Sequence, residues 1–159
     1  MKLLTVDTLH EAREKLLACV PSGKTAPEKV PLSESLGRVV MEDIRSPEPI
    51  PAFRRATVDG YAVVSGDTAG AGESLPVFLR LAGSVVTGKA AAVSPGRGEC
   101  VYVPTGGMIP EGADAVVMVE YCESAGPENI AVYGSVAPGT GLVETGEDCG
   151  EGDVLIRRG

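Results

Sequence analysis

Three loops of this 159-residue chain carry side chains whose types and spacing suit chemistry on anions. The first loop contains Asp59, whose carboxylate follows the pair Arg54-Arg55 and stands before Gly60. A carboxylate at the entrance of a strand can bind Mg²⁺ directly or through water. Asp-Gly is also a common turn signal, because aspartate caps its own turn and glycine accepts positive φ. On spacing alone, a turn is the favoured interpretation.

The second loop is Thr105-Gly106-Gly107, at the point where a predicted strand ends. A hydroxyl together with backbone N–H groups suits an oxyanion. An ordinary turn at the end of a strand explains the same residues. The loop is not a P-loop, since no Gly-Lys-Ser/Thr follows at the required spacing.

The third loop, residues 146–153, is rich in carboxylates and includes Glu147 and Asp148. Clustered carboxylates suggest a divalent cation, although their spacing does not match an EF-hand loop. A solvated acidic turn is the alternative.

The elements that must position these loops are short. The chain contains 21 glycines and 12 prolines, which form no repeat or low-complexity tract and therefore separate many short elements. One longer helix is predicted over residues 5–20, where apolar residues recur at helical spacing. Thr8 and Glu11 can form a capping box at its start, and Pro21 with Gly23 stops it.

The rest of the chain is predicted to form turns and strands. A helical turn at 32–36 precedes a strand over Arg38–Val40, and alternating prolines make 46–51 an extended crossing between two units. Many short strands separated by turns favour a barrel, a sandwich or a coiled sheet over a βαβ fold. The predicted strands after the crossing are Tyr61–Val64, Val77–Ala82, Glu99–Pro104, Ala115–Tyr121, Ile130–Val136 and Asp153–Arg157.

Charge and composition exclude several classes of partner. The chain is 43% hydrophobic and 23% charged, which is ordinary for a folded globular protein. Its net charge of -8 disfavours nucleic acid and anionic membrane surfaces, so we expect neither as a partner. The apolar run at 115–119 is too short to cross a bilayer, and the first residues do not resemble a signal peptide.

The number and spacing of the cysteines and the histidine disfavour a metal-thiolate site and a nucleophilic triad. The single histidine, His10, falls in the predicted helix and gives little support to a triad. Four widely spaced cysteines without a CxxC pair are expected to be reduced thiols, which predicts a cytoplasmic protein. They are Cys19, Cys100, Cys122 and Cys149.

Taken together and in order, short patches of this sequence resemble the N-terminal region of the molybdopterin molybdenumtransferase family, which includes bacterial MoeA and the E domain of gephyrin. The patches extend over nearly the whole chain, and each alone is a weak signal. They are Pro31-Leu32 with Leu36–Val40, Pro51 with Phe53, Asp59–Val63, Thr105-Gly106, Pro110–Val117 with Glu120, and Gly146–Asp148.

The resemblance implies a fold and a domain division. The expected fold is mainly β, with a coiled or bifurcated sheet or barrel-like unit, a small mixed unit and one N-terminal helix. We expect the helix in residues 1–24, the mixed unit in 25–45 together with 147–159, and the β domain in 46–146. In the family the first helix packs on a pterin-binding domain, whose pattern does not follow here. Its apolar stripe is therefore expected to be poorly ordered or buried against a second chain.

The resemblance also implies an activity. Members of the family insert molybdenum from molybdate into adenylyl-molybdopterin with Mg²⁺ assistance and release AMP. They are homodimers, and the active site lies between the second domain of one subunit and the pterin-binding domain of its partner. This chain then corresponds to the N-terminal half of such an enzyme, inactive without the missing C-terminal pterin-binding domain.

Site residues follow from matching positions. Asp59, Thr105 and Asp148 are the expected catalytic residues. Asp59 and Asp148 position the metal or molybdate, and the Thr105 hydroxyl touches the anion. The expected cofactor-binding residues are Gly60, Gly106 and Glu147.

Two departures from the family pattern support a different class of function. Ala56-Thr57-Val58 replaces the usual Ser-Ala-Met, and Val143 stands where an arginine is common. The alternative is a non-catalytic dimerisation or scaffold module with a degenerate site, and a third possibility is a stand-alone module that binds a metal or oxyanion. Arg54 or Arg55 could compensate for the lost guanidinium.

Overall fold

The computed structural model describes residues 6–20 and 25–159. The chain divides into two compact units, Met1–Met41 with Gly159, and Glu42–Arg158. The predicted grouping of residues 25–45 with 147–159 remains a prediction. Within the described residues, no helix has the length and apolar character needed to cross a membrane.

The first unit contains the predicted helix, α1 (Leu9–Cys19). Its capping box is formed, because the Glu11 N–H donates to Thr8 Oγ1 and the Thr8 N–H donates to Glu11 Oε2. Every residue of α1 is exposed, and Leu16 and Leu17 retain 66% and 54% of their accessible surface. The expectation that this apolar stripe is poorly ordered or buried against a second chain remains a prediction. The predicted stop at 21–24 lies outside the described residues.

The predicted strand at Arg38–Val40 is wrong. A 3₁₀ turn at Leu32–Glu34 is present, and Gly37 with φ 77° reverses the chain after it. The Arg38 N–H then donates to the Ser35 carbonyl, and Arg38 Nε donates to the Glu34 carbonyl. These local bonds hold Arg38 against the preceding turn, so the apolar residues that follow do not enter a sheet.

The second unit is β structure, which confirms the mainly β prediction. Every strand predicted after residue 51 is present at least in part, whereas four strands of two or three residues were not predicted, at Ile44–Arg45, Arg55–Ala56, Cys122–Ser124 and Leu142–Val143. The strands are β1 (Ile44–Arg45), β2 (Arg55–Ala56), β3 (Gly60–Val63), β4 (Val77–Ser84), β5 (Glu99–Val103), β6 (Ala115–Met118), β7 (Cys122–Ser124), β8 (Asn129–Val132), β9 (Leu142–Val143) and β10 (Val154–Ile156).

Six of these strands form one curled sheet in the order β6-β3-β5-β4-β8-β7. All neighbouring pairs are antiparallel except β4 and β5, which are parallel with an irregular register between Leu81 and Gly83. Two smaller pairs, β1 with β10 and β2 with β9, are also antiparallel. The coiled, barrel-like sheet expected from the sequence is therefore confirmed.

Both faces of the central strands are buried. Side chains alternate across a strand, so neighbouring residues enter different cores. Ala62 of β3 belongs to one apolar cluster and Val63 to the other, and Val116 and Val117 of β6 divide in the same way. This explains why β3 and β6 are nearly continuous apolar runs without polar alternation.

The remaining predicted segments are placed as follows. The strand predicted over Ala115–Tyr121 ends at Met118 and continues as a 3₁₀ turn, Val119–Tyr121, while the one over Ile130–Val136 ends at Val132. The proline-rich crossing runs beside the acidic third loop, since the Ile50 N–H donates to the Cys149 carbonyl at 2.7 Å. All four cysteines are free thiols.

Candidate functional site

A short strand brings two of the predicted loops together. On one side of β2, the Ala56 N–H donates to the Gly107 carbonyl at 2.9 Å, and the Gly106 N–H donates to the Ala56 carbonyl at 2.8 Å. On the other side, β2 pairs with β9, and the Thr57 N–H donates to the Gly141 carbonyl at 2.9 Å. Backbone bonds thus fix the Thr-Gly-Gly loop against the chain that leads to the third loop.

A shallow groove of about 280 Å³ opens at this junction. Its walls come from the strand, from the Thr-Gly-Gly loop and from β9. Its lining residues are Arg55, Ala56, Thr57, Thr105, Gly106 and Val143.

The structure joins Asp59 and Thr105, two predicted catalytic residues separated by 46 positions. Asp59 Oδ1 accepts hydrogen bonds from the Thr105 N–H at 2.6 Å and from the Thr105 hydroxyl at 2.7 Å. Both residues are exposed. The backbone hydrogen bond, followed by the hydroxyl hydrogen bond, holds the pKa of the Asp59 carboxyl below its ordinary value. This carboxylate is therefore ionised at neutral pH and fastened to the rim of the groove.

The hydrogen bonds to Asp59 predict a pH effect of definite sign. Because the folded-state pKa is depressed, their stabilisation is present above the unfolded value near 3.8 and is lost as pH falls through the lower folded value. In a carboxyl NMR titration, the Asp59 midpoint is expected below 3.8. Thr105→Val removes the hydroxyl and keeps the stronger backbone donor, so the midpoint should rise only part of the way.

An internal reference for this titration is Glu11, whose pKa is lowered by hydrogen bonds from Thr8 in the helix cap. The Glu11 midpoint should be the same in the wild type and in Thr105→Val. An Asp59 midpoint that does not respond to Thr105→Val would contradict the hydroxyl contact.

The backbone N–H groups of the Thr-Gly-Gly loop are all bonded within the protein. The Thr105 N–H donates to Asp59, the Gly106 N–H to Ala56, and the Gly107 N–H to the Pro104 carbonyl at 2.8 Å. The loop is thus a rigid turn, with φ 77° at Gly106. The predicted contact of the Thr105 hydroxyl with an anion remains a prediction.

Gly60 has a packing role in the structure. It is buried in β3, and a Cβ atom there would overlap the Val117 carbonyl oxygen and lie 2.6 Å from Val116 Cγ1. Only glycine allows β6 to approach β3 this closely beside Asp59. The expected role of Gly60 in cofactor binding remains a prediction.

The third loop is anchored separately. Glu147 Oε2 accepts from the Glu144 N–H at 2.9 Å, and the Asp148 N–H donates to the Ile50 carbonyl at 3.0 Å. Both side chains lie on exposed residues, and Asp148 shares no hydrogen-bond partner with Asp59 among the described residues. Within the described residues, no three His, Cys, Asp or Glu side chains converge on a common metal position.

The sequence interpretation did not distinguish the two arginines, and the structure does. Arg55 lines the groove, whereas Arg54 Nη1 donates to the Ala113 carbonyl at 3.1 Å. Arg54 instead lines a second hollow of about 410 Å³, together with Glu111. The signal that could have separated them is the alternation of side chains along an extended segment, which points adjacent residues to opposite sides.

Comparison with known proteins identifies the family. Residues 7–159 match the family described as the MoeA N-terminal region (domain I and II). The chain belongs to this family. The resemblance inferred from the ordered patches, from Pro31 to Asp148, is thereby confirmed.

Similar curated proteins are longer than this chain. The chain is 37% identical over 154 residues to the molybdopterin molybdenumtransferase of Bacillus subtilis, a match that covers 95% of the chain and 35% of that protein. It is 36% identical over 157 residues to the Haemophilus influenzae molybdopterin molybdenumtransferase, covering 96% and 36%. Gephyrin of Dictyostelium discoideum is 34% identical over 147 residues, covering 83% and 20%. The chain therefore spans about a third or less of these relatives.

A solved structure has the same fold. The molybdopterin biosynthesis moeA protein of Pyrococcus horikoshii OT3 superimposes with a TM-score of 0.78 at 44% sequence identity. The match covers 83% of this MoeA-family chain and 35% of the other. The curled sheet and the loops at its rim thus belong to a known MoeA-type fold.

Proposed function

We propose that this chain is the N-terminal part of a molybdopterin molybdenumtransferase, which inserts molybdate-derived molybdenum into adenylyl-molybdopterin during molybdenum cofactor biosynthesis. The chain supplies one wall of the reaction cleft through Asp59, Thr105 and Asp148. The pterin-binding domain that completes the cleft corresponds to the part of the relatives beyond this match. The chain alone is then inactive.

The observation that carries the proposal is the pairing of Asp59 with Thr105 beside the groove. Two family motifs far apart in sequence meet through two hydrogen bonds, at 2.6 Å and 2.7 Å. An ionised carboxylate that is hydrogen-bonded to a rigid turn supports the binding of charged groups, because neither Asp59 nor Thr105 has to be reordered when substrate arrives. The reaction proposed for this site is taken from the names of the relatives, which are molybdopterin molybdenumtransferases.

The carboxylates fit Mg²⁺ as an assisting ion. Asp59 uses Oδ1 for Thr105, while its Oδ2 has no hydrogen-bond partner among the described residues. Magnesium keeps several waters and takes one or two carboxylates together with substrate phosphates, so a three-ligand protein cluster is not required. Asp59 and Asp148 would hold the ion. When bound, Mg²⁺ offsets the negative charge of phosphate and molybdate oxygens.

Partners and location follow from the same proposal. The active enzyme is a homodimer whose cleft combines this region of one subunit with the pterin-binding domain of the other. The exposed stripe of α1 supports a further packing partner, since Leu16 and Leu17 are not covered within the chain. Four free thiols support a cytoplasmic location.

The test is complementation of a strain that lacks its molybdenumtransferase. The full reading frame containing this chain should restore the activity of a molybdenum-dependent enzyme, and residues 1–159 alone should not. Asp59→Ala in the full reading frame should lower that restored activity roughly 10- to 100-fold, as expected for loss of a metal ligand or of its support. Glu73→Ala is the matched control, because it removes an exposed carboxylate that has no hydrogen-bond partner in the described part of the chain.

Failure of the full reading frame to restore activity would contradict the proposed reaction. Restoration that is unaffected by Asp59→Ala would instead favour the second candidate, a non-catalytic dimerisation or scaffold module. The specific observation behind that candidate is the apolar character of part of the groove, where Ala56 and Val143 form the lining.

A further inference from the structure

The groove beside Thr105 has few donors left for a ligand. The Thr105 N–H and hydroxyl both donate to Asp59, and the Gly106 N–H donates to the Ala56 carbonyl. On the strand, the N–H groups of Ala56 and Thr57 donate to the Gly107 and Gly141 carbonyls. A ligand in this groove would therefore have to be bound by side chains.

One side chain of the lining is both charged and free. Arg55 is exposed, and its guanidinium has no hydrogen bond or ion pair with any described residue. Thr57 also lines the groove, and its hydroxyl likewise has no hydrogen-bond partner among the described residues. A guanidinium with five N–H donors is suited to oxygens arranged in a plane or on a tetrahedral face.

Charge favours this guanidinium as the contact that the lining offers to an anionic ligand. The chain carries a net charge of -8, and the ionised Asp59 lies at the rim of the groove. Without a local cation, a dianion would be repelled from this position. Arg55 is the only charged residue in the lining.

We propose that Arg55 binds a doubly charged tetrahedral oxyanion in this groove, with the Thr57 hydroxyl as a second donor. Molybdate and the phosphate of a nucleotide share this chemistry. The choice of these two ligands rests on the proposed function, whereas the binding residue is assigned from the groove alone.

The neighbouring arginine does not share this role. Arg54 precedes β2, donates to the Ala113 carbonyl and lines the second hollow. Removing either arginine changes the net charge by the same amount. Arg54→Ala is thus a control for general electrostatic effects.

The pairing of β2 with β9 provides a rescue position. Arg55 and Val143 are directly opposite in this antiparallel pair, so their side chains project to the same face with closely spaced Cβ atoms. Both residues line the groove. An arginine at position 143 can therefore return a guanidinium to the groove from the other wall.

The experiment titrates the 159-residue chain with molybdate and, separately, with AMP, and follows backbone amide NMR shifts. Saturable shifts are expected at Thr57, Thr105 and Val143 with one or both ligands, and the ligand that binds identifies the source of the oxyanion. Arg55→Ala should weaken binding roughly tenfold or more, as expected for loss of a charge-assisted pair. Arg54→Ala should change it less than about twofold, because the Arg54 guanidinium donates to the Ala113 carbonyl and lines the other hollow, and charges away from the groove are screened by salt. Arg55→Ala with Val143→Arg should recover most of the affinity.

Several results would overturn the proposal. The first is that neither molybdate nor AMP shifts the amide signals of the wild type. The second is that Arg55→Ala and Arg54→Ala lose the same affinity, and the third is that the double variant recovers none. Each variant is checked for folding by comparing its amide spectrum with that of the wild type. Arg55→Lys keeps the positive charge but loses the paired N–H donors of the guanidinium, so it should bind with intermediate affinity. Complementation failure with intact Arg55-dependent binding would reject the reaction and keep the site. Complementation together with unchanged binding in Arg55→Ala would reject the site alone.

Discussion

Replacing Gly60 with alanine is expected to lower the free energy of unfolding by about 4 kcal/mol, a loss at the upper end for single substitutions. The new methyl group would overlap the Val117 carbonyl oxygen, which belongs to the backbone of the neighbouring strand β6. A backbone atom cannot rotate away as a side chain can. The two strands must separate, and their hydrogen bonds weaken. Urea denaturation followed by circular dichroism measures the loss.

Gly66→Ala is the matched control for this prediction. Gly66 has open space around its Cβ position and no positive φ, so alanine there should change stability by less than about 1 kcal/mol. Similar unfolding free energies for wild type and Gly60→Ala would refute the close approach of β3 and β6. Because Gly60 stands next to Asp59, any activity loss in Gly60→Ala has to be compared with its folded fraction.

The second large effect is expected at Leu79 in β4. This side chain is 1% exposed and packs in the core cluster with Val63 and Ile130. Leu79→Ala removes buried methyl groups and leaves a cavity. Because the sheet is packed on both faces, the surrounding residues can fill this cavity only in part. The expected loss is about 3 kcal/mol in the free energy of unfolding, measured in the same denaturation experiment.

The neighbouring residue is the control for Leu79. Phe78 points to the other side of β4 and is 62% exposed. Phe78→Ala deletes a larger side chain, yet it should cost less than about 1 kcal/mol because little buried surface is lost. Equal losses at the two positions would mean that the faces of β4 are not assigned correctly.

Sequence patterns correctly predicted the elements that are stabilised by contacts between residues close together in the chain. The helix start followed from Thr8 and Glu11, since a capping box needs only residues three positions apart. The longer strands followed from their apolar runs. The strand at Arg38–Val40 was predicted wrongly, because an apolar run does not show whether a partner strand is available. In the structure, Arg38 instead donates hydrogen bonds to the Ser35 and Glu34 carbonyls of the adjacent turn.

The site was harder to predict, for the same reason. Strands β2 and β9 have two residues each, too few for any period to be visible, yet they form the groove. No spacing rule connects Asp59 with Thr105 across 46 positions, so their proximity was expected only from family resemblance. The separation of Arg54 from Arg55 depends on strand alternation through a segment not expected to be a strand.

Burial on both faces of the central sheet determines where this protein can vary in sequence. Residues of β3 and β6 contact one core or the other, so a polar side chain at most of their positions would be buried without a partner. Their tolerance to substitution should be low along the whole strand rather than at every second residue. Substitutions that change the chemistry of the site are therefore expected at the rim, where Arg55, Asp59 and Thr105 are exposed. New ligand specificity in this fold would thus arise by exchanging a few rim side chains over an unaltered sheet.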